Sequence, residues 1–418
     1  MRAVHSETQF ITALGLGQIC AWGTLYYSYP LIVEAMMPEL GWTRSQAYAP
    51  ATFGLLIAAF LTYPIGVAVD RGYGKAVLTG CSALAAVLFL AWSQVRGLYG
   101  FYIVATLLGA LQACTLYEPA FAVLARRVGA DRARQGVTRI TLWGGFSSTV
   151  FIPVVQFLIE RWSWREALWC LAAVNVSLAI LYSWQVRPRL DRQNDGTPGT
   201  AAVSRDRKAL AESLRNRVFW LLIVAMVAYA GAFSAFTFHM YPMLLEGGLQ
   251  MGQVVFALAM IGPSQVAGRI LVSMVGERSS IRRIGCWTVA VLPPVFPGLL
   301  LFGDRFLAVA ALCCAYGAAN GIFTIVRSLV IPEMVTRHAY GALNGIINLP
   351  ATLARAVAPW TTAMLWETTS SYGPVWWVIA ATAMVMALAF WAAAWQSLQC
   401  NAIPEVPVTA QELRRPCE

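Results

Sequence analysis

Four groups of polar and aromatic residues recur at helical spacing inside apolar stretches of this sequence: Gln18, Trp22, Tyr26 and Tyr29; Gln112, Thr115 and Glu118; Asn320, Thr324 and Arg327; and Asn344, Asn348, Thr352 and Arg355. Spacings of three and four residues place each group on one face of a helix. Amides, hydroxyls, one carboxylate and two guanidinium groups on such faces suit the binding of a polar solute better than covalent catalysis. Arg355 lies near the middle of its stretch, so it must be paired or meet water. It can hold an anionic or strongly polar substrate group, or form a structural ion pair, with Glu118 as one partner. Glu118 can take up a proton, because burial favours a neutral carboxyl, or make a gate contact to an arginine. Arg269 and Arg327 lie about two-thirds along their stretches and read as coupling or gating residues. His239 is the sole histidine within an apolar stretch and reads as a hydrogen-bonded packing residue.

The elements that must position these groups are set by composition. Of 418 residues, 58% are hydrophobic and 12% charged. A soluble domain carries about 25% charged residues, so there is too little charge to cover a surface facing water. A large soluble enzyme, a nucleic-acid-binding module and a disordered chain are excluded. The expected fold is an all-α membrane protein. Apolar stretches fall at 9–36, 45–69, 76–95, 98–125, 137–160, 165–186, 218–245, 251–275, 284–303, 306–331, 341–366 and 373–398, which predicts twelve transmembrane helices. At about 20 residues per span these consume roughly 240 residues.

The formal charge of +10 does not imply nucleic acid, because the basic residues cluster in the breaks between apolar stretches. One side gathers roughly eighteen of them, including Arg71, Lys75, Arg126, Arg127 and those from Arg187 to Arg217, against five on the other. That bias predicts a multi-pass protein of the cytoplasmic (inner) membrane with both termini and the central linker cytoplasmic. The first apolar stretch runs past Pro30 with no small-residue cleavage site, so it is not expected to be a cleaved signal. Seven of the nine cysteines sit inside apolar stretches and none has metal-ligand spacing, so no disulfide framework, metal or cofactor is expected.

The two halves of the chain resemble each other. Tyr29-Pro30-Leu31-Ile32-Val33-Glu34 returns as Tyr241-Pro242-Met243-Leu244-Leu245-Glu246, a shift of 212. Asp70-Arg71 corresponds to Glu277-Arg278, and Gly109-Ala110-Leu111-Gln112 to Gly317-Ala318-Ala319-Asn320. The organisation expected is an N-terminal six-helix bundle (1–187), a cytoplasmic linker (188–216), a pseudo-symmetric C-terminal six-helix bundle (217–400) and a cytoplasmic tail (401–418). Paired bundles of this kind hold a solute site between them near the midplane.

Between the second and third stretches lies Gly66-Val67-Ala68-Val69-Asp70-Arg71-Gly72-Tyr73-Gly74-Lys75. It resembles the loop signature of the major facilitator superfamily, with the second glycine displaced by one and Tyr73 in its usual place. Trp164-Arg165 opening the sixth stretch is also similar. The resemblance implies that Asp70 sits at the N-terminus of helix eleven near Gly341, biasing the outward-open state, with Arg71 beside it. It further implies that Trp22, Tyr26, Trp143 and Phe238 project from cavity-lining helices, where ring faces suit a flat solute. Two other family signatures are missing: helix four lacks the membrane arginine of proton-driven members, with Gln112 nearby instead, and helix five lacks the glycine-proline pattern of drug exporters.

The function expected is secondary active transport of a small organic solute by alternating access, most simply uptake, as a symporter or uniporter. Protons are the coupling ion considered, and a monomer surrounded by lipid the expected state. No nucleotide-binding segment of the Walker type is present. A membrane-embedded enzyme would need clustered Asp, Glu or His, and the three histidines lie far apart. A solute-sensing receptor would normally add a signalling domain, and the segment after Cys400 is short. For the substrate, Gly17-Gln18 to Tyr26-Tyr27 and Leu116-Tyr117-Glu118-Pro119 resemble a bacterial branch that includes riboflavin carriers. The alternative is a monocarboxylate or oxalate-type carrier, suggested by Gly41-Trp42-Thr43-Arg44-Ser45 and the deep arginines. The expected substrate-binding residues are Gln18, Trp22, Tyr26, Gln112, Trp143, Phe238, Asn320, Asn348 and Arg355; the expected coupling or gating residues are Glu118, Arg269, Arg327, Asp70 and Arg71.

Overall fold

The computed structural model describes residues 2–128, 130–187, 200–275, 280–336 and 340–401. All secondary structure among them is helical. The first stretch forms α1 (Arg2–Trp22) and α2 (Ser28–Leu40), joined by a π-helical turn at Gly23–Tyr27. The second and third are α3 (Arg44–Ala68) and α4 (Gly74–Ser93). The fourth breaks into α5 (Leu98–Thr115) and α6 (Tyr117–Val128), the fifth into α7 (Ala130–Gly144) and α8 (Ser147–Arg161), and the sixth is α9 (Trp164–Gln185). After the linker helix α10 (Thr200–Arg215) come α11 (Arg217–Glu246), the broken pair α12 (Met251–Ala259) and α13 (Ile261–Val275), α14 (Ile281–Leu301), α15 (Phe306–Met334), α16 (Tyr340–Thr369) and α17 (Gly373–Asn401).

Ten helices among the described residues are long and apolar enough to cross a bilayer. The two remaining stretches are helical as well. One is the rod α1–α2 with its π turn; the other is α16, whose Asn344, Asn348 and Arg355 make it the more polar. Successive stretches alternate between two faces of the molecule. One carries the α3–α4 turn and α10, and is here the linker face; the other is the distal face.

Packing within each half repeats. In the first, α3 lies on α5, α4 on α9 and α1 on α7; in the second, α13 lies on α15, α14 on α17 and α11 on α16. The repeat seen in the sequence reappears at the closest crossings. A Cβ on Gly54 of α3 would fall 2.7 Å from the Cα of Gly109 on α5, and one on Gly317 of α15 would fall 2.5 Å from the carbonyl of Ile261 on α13. Backbones meet this closely only where a side chain is absent, the usual way to gain helix contact in lipid.

The halves join along α16 on α3, α12 and α13 on α8, and α11 on α2. By contrast α1 and α6, the linker-side parts of the first and fourth rods, pack mainly on N-terminal helices. The bundles therefore close at the distal face and part at the linker face.

Local chemistry fixes the turns. Gly41 ends α2 in the left-handed conformation (φ +68°), and Thr43 opens α3 with a capping box. Its hydroxyl accepts from Gln46 N at 3.3 Å while Gln46 Oε1 accepts from Thr43 N at 3.0 Å. In the α3–α4 turn Gly72 has φ +92°, which glycine alone adopts without strain. Arg71 is exposed there. The side chain of Asp70 and the surroundings of Gly341 lie outside the described residues, as do 402–418 and most of the central linker.

Candidate functional site

Helix breaks leave backbone carbonyls without partners, and in a bilayer these must be met from inside the protein. Gln18 on α1 donates through Nε2 to the carbonyls of Thr115 (3.0 Å) and Leu116 (3.3 Å), at the break of the fourth rod. Gln112 on α5 donates back to Leu25 O (3.2 Å), within the π turn of the first rod. Each amide therefore satisfies the other rod's broken backbone, and each is buried. The residue types expected to hold a substrate are here engaged in structure. Gln18→Leu is expected to lower stability by about 1–3 kcal/mol, the cost of a buried group left unpaired. Thermal unfolding in detergent would show it as a reduced Tm. A held Tm with weakened substrate binding would return Gln18 to the solute site.

Across the halves, Thr149 on α8 donates to Ala259 O at the break between α12 and α13 (2.8 Å). Arg269 on α13 donates to Thr141 O on α7. Arg269 is only 7% exposed, and its Nε is buried without a hydrogen-bond partner. Arg355 on α16 is half-buried with its Nε likewise unpartnered, while its carbonyl accepts from the Ser234 hydroxyl of α11 (2.7 Å). Arg269, Arg327 and Arg355 come from three different helices, yet all lie within electrostatic reach of Tyr229 on α11. Tyr229 in turn donates to Asn320 Oδ1 on α15. Neither Arg269 nor Arg355 pairs with a carboxylate among the described residues, so the expected Arg355–Glu118 ion pair is not formed.

Aromatic rings floor this cationic region. Trp22 meets Tyr26 and Tyr117, each at 5.2 Å between centroids, and Tyr26 meets Phe238 edge-on at 5.0 Å. Tyr26 also faces Phe233 of the other half, nearly parallel at 11° and 6.4 Å apart. Trp22 Nε1 and the Tyr26 hydroxyl are buried without partners. Glu118, Arg327 and Asn348 are exposed. Because a lipid-facing charge or amide is costly, their exposure belongs to the gap at the linker face. Glu118 is thus open rather than buried as the proton-acceptor reading assumed.

Trp143 does not join this group. It packs over Gly15 of α1 and is 38% exposed. Phe238 sits deeper, buried between Tyr26 and Tyr29 (5.7 Å) on the closed side. Tyr27, Tyr117, Tyr229 and Phe233 were missed, since aromatic residues in apolar helices carry no spacing signal of their own.

A second polar cluster closes the distal face. Glu34 on α2 pairs with Arg44 at the start of α3 and accepts from the Tyr48 hydroxyl at 3.1 Å. Arg44 also donates to the Tyr372 hydroxyl of the other half (3.1 Å), with its guanidinium 4.4 Å over the Trp366 ring. Glu367 on α16 accepts from Ser45 N, an orphan donor of the first turn of α3, at 2.7 Å. His239 stacks on Tyr48 at 4.2 Å and bonds Tyr372 and Pro359 O, the packing role expected for it. Glu34 was visible only as a landmark of the repeat. Its counterpart Glu246 holds the backbone N of Tyr372 (2.6 Å) and the Trp366 indole (2.8 Å) on the same face.

Two like bundles, joined at one face and parted at the other around a polar seam, have the build of a solute carrier of the membrane. A family model of the Major Facilitator Superfamily matches residues 14–359, and the chain belongs to that superfamily. It is a multi-pass membrane transporter of small solutes. Monocarboxylate transporter 13 of Bos taurus is 26% identical over 87% of this chain and 82% of the relative. The fold is shared with the nucleoside transporter NupG (TM-score 0.73, 16% identity, 93% of this chain and 98% of that one). It is shared also with a D-xylose-proton symporter (TM-score 0.69, 14% identity, 93% of this chain and 97% of that one).

Proposed function

We propose that this transporter carries small organic carboxylates by alternating access between the bundles 1–187 and 217–400. The observation that carries this reading is the set of buried donors left without acceptors on the seam: Arg269 Nε, Arg355 Nε, Trp22 Nε1 and the Tyr26 hydroxyl. A carboxylate supplies up to four acceptor positions and a countercharge. Similarity to a monocarboxylate transporter supports the same class. A neutral flavin would stack on the rings but leave the guanidinium groups without a countercharge, so the riboflavin reading is the weaker one.

The basic bias supports a cytoplasmic linker face in an inner membrane, and uptake is the direction proposed. Glu118, exposed at the linker face, is kept as a gating residue, and symport with a proton, which balances the charge of the carried anion, is the coupling proposed. Purified protein in proteoliposomes, offered labelled pyruvate, oxalate and riboflavin with and without an inward proton gradient, tests this. Gradient-driven accumulation of a carboxylate is expected. Riboflavin flux with neither acid moved would contradict it.

A further inference from the structure

We propose that the carboxylate taken by this site is borne on a flat aromatic ring, which inserts between Tyr26 of one half and Phe233 of the other. The proposal rests on the carboxylate reading above and narrows it to aryl and arylalkyl acids. Tyr26 and Phe233 are the near-parallel ring pair across the seam, at 11° and 6.4 Å. Trp22 flanks Tyr26 edge-on at 5.2 Å, and Tyr229 continues the Phe233 side at 5.8 Å and 25°. A small aliphatic acid has no use for such walls. Ring contact on both faces at about 3.5–4.0 Å each needs walls about 7–8 Å apart. The centroids stand 6.4 Å apart, so the ring planes must part by at least about 1 Å, and because each half contributes one ring, rocking of the bundles supplies it. The charge is placed to match. Arg355 lies within electrostatic reach of both Tyr26 and Tyr229, so a carboxylate on the ring's substituent meets the guanidinium while the ring lies in the slot. Tyr26 Oη, buried and unpartnered, offers a further donor at the slot's edge.

The test is competition in proteoliposomes, measuring inhibition of labelled phenylpyruvate uptake by unlabelled phenylpyruvate, benzoate, pyruvate and acetate. The aromatic acids are expected to compete about tenfold or more better than the aliphatic acids, from stacking on two faces. Phe233→Leu should lower apparent affinity for phenylpyruvate by about tenfold and for pyruvate by much less, collapsing the ratio. Phe233→Tyr, which keeps a ring, should retain it and guards against a folding defect in the leucine variant. Equal competition by pyruvate and phenylpyruvate in the wild type, or an equal loss of both in Phe233→Leu, would overturn the aromatic slot while leaving the carboxylate reading intact. Uptake of labelled pyruvate with none of labelled phenylpyruvate would overturn the slot alone, and uptake of neither would overturn both readings.

Discussion

Arg355→Gln is expected to cut carboxylate uptake by about 100-fold or more in kcat/KM, with the protein still inserted and folded. The residue is half-buried on α16 with its Nε unpartnered, and no carboxylate among the described residues balances it. Its contribution falls on the bound anion. Losing one charge-assisted bond of this kind removes about 2–5 kcal/mol, and each decade of rate corresponds to about 1.4 kcal/mol. The glutamine keeps length and one donor but no charge, so a Tm near that of the wild type should accompany the lost transport. Arg355→Lys keeps the charge without the planar fork and should fall between. Wild-type uptake by Arg355→Gln would remove the residue from the substrate path.

Arg44→Ala should have the largest effect on conformation. The substitution strands Glu34 with Tyr48 alone, cuts the bond to Tyr372 and removes the guanidinium from Trp366, all at the closed distal face. Breaking a fully buried pair by deleting one partner costs about 3–5 kcal/mol. Here the two side chains retain 18% and 14% exposure, so about 2 kcal/mol is expected. The stability lost with Glu34 is common to both states, whereas the contacts across the halves to Tyr372 and Trp366, worth about 1.4 kcal/mol together, shift the balance toward a distal-open state by roughly tenfold. The measurement is the rate of thiol labelling at a cysteine in place of Ala47, applied from the distal side. The double variant Arg44→Ala with Glu34→Gln should recover part of the loss, because the stranded carboxylate is gone. Unchanged labelling in Arg44→Ala would show that the distal closure does not depend on this cluster.

The seam was legible where lipid makes polarity expensive. Arg269, Arg355 and Asn320 stand out in apolar helices for that reason, and the structure gathers them about Tyr229. The repeat was legible too, since Gly109 and Gly317 occupy matching crossings. The roles of Gln18 and Gln112 were not. Periodicity assumes an unbroken helix, whereas Pro119 removes the donor that would close on Thr115 O and Pro30 the one that would close a π turn on Leu25 O, a signal that spacing alone does not read. Once those breaks exist, their carbonyls claim the amides. Trp143 was offered by family resemblance alone, and its packing over Gly15 depends on how α7 meets α1, which the sequence does not show. Arg44 was legible as a loop charge and as part of Gly41-Trp42-Thr43-Arg44-Ser45, but not as a contact between the halves, because its partners Tyr372 and Trp366 lie more than 300 residues away.

The most direct measurement is thiol labelling of single cysteines at Asn348 and Glu118, in protein otherwise free of cysteine and reconstituted in liposomes, with an impermeant reagent applied from each side. Both positions should react from the linker face, a cysteine in place of His239 should stay unreactive from either side, and added phenylpyruvate or pyruvate should slow the reaction at Asn348 several-fold. Positions 348 and 118 sealed from both sides, or reacting at a rate that no carboxylate alters, would contradict a seam that opens to water and binds an organic anion.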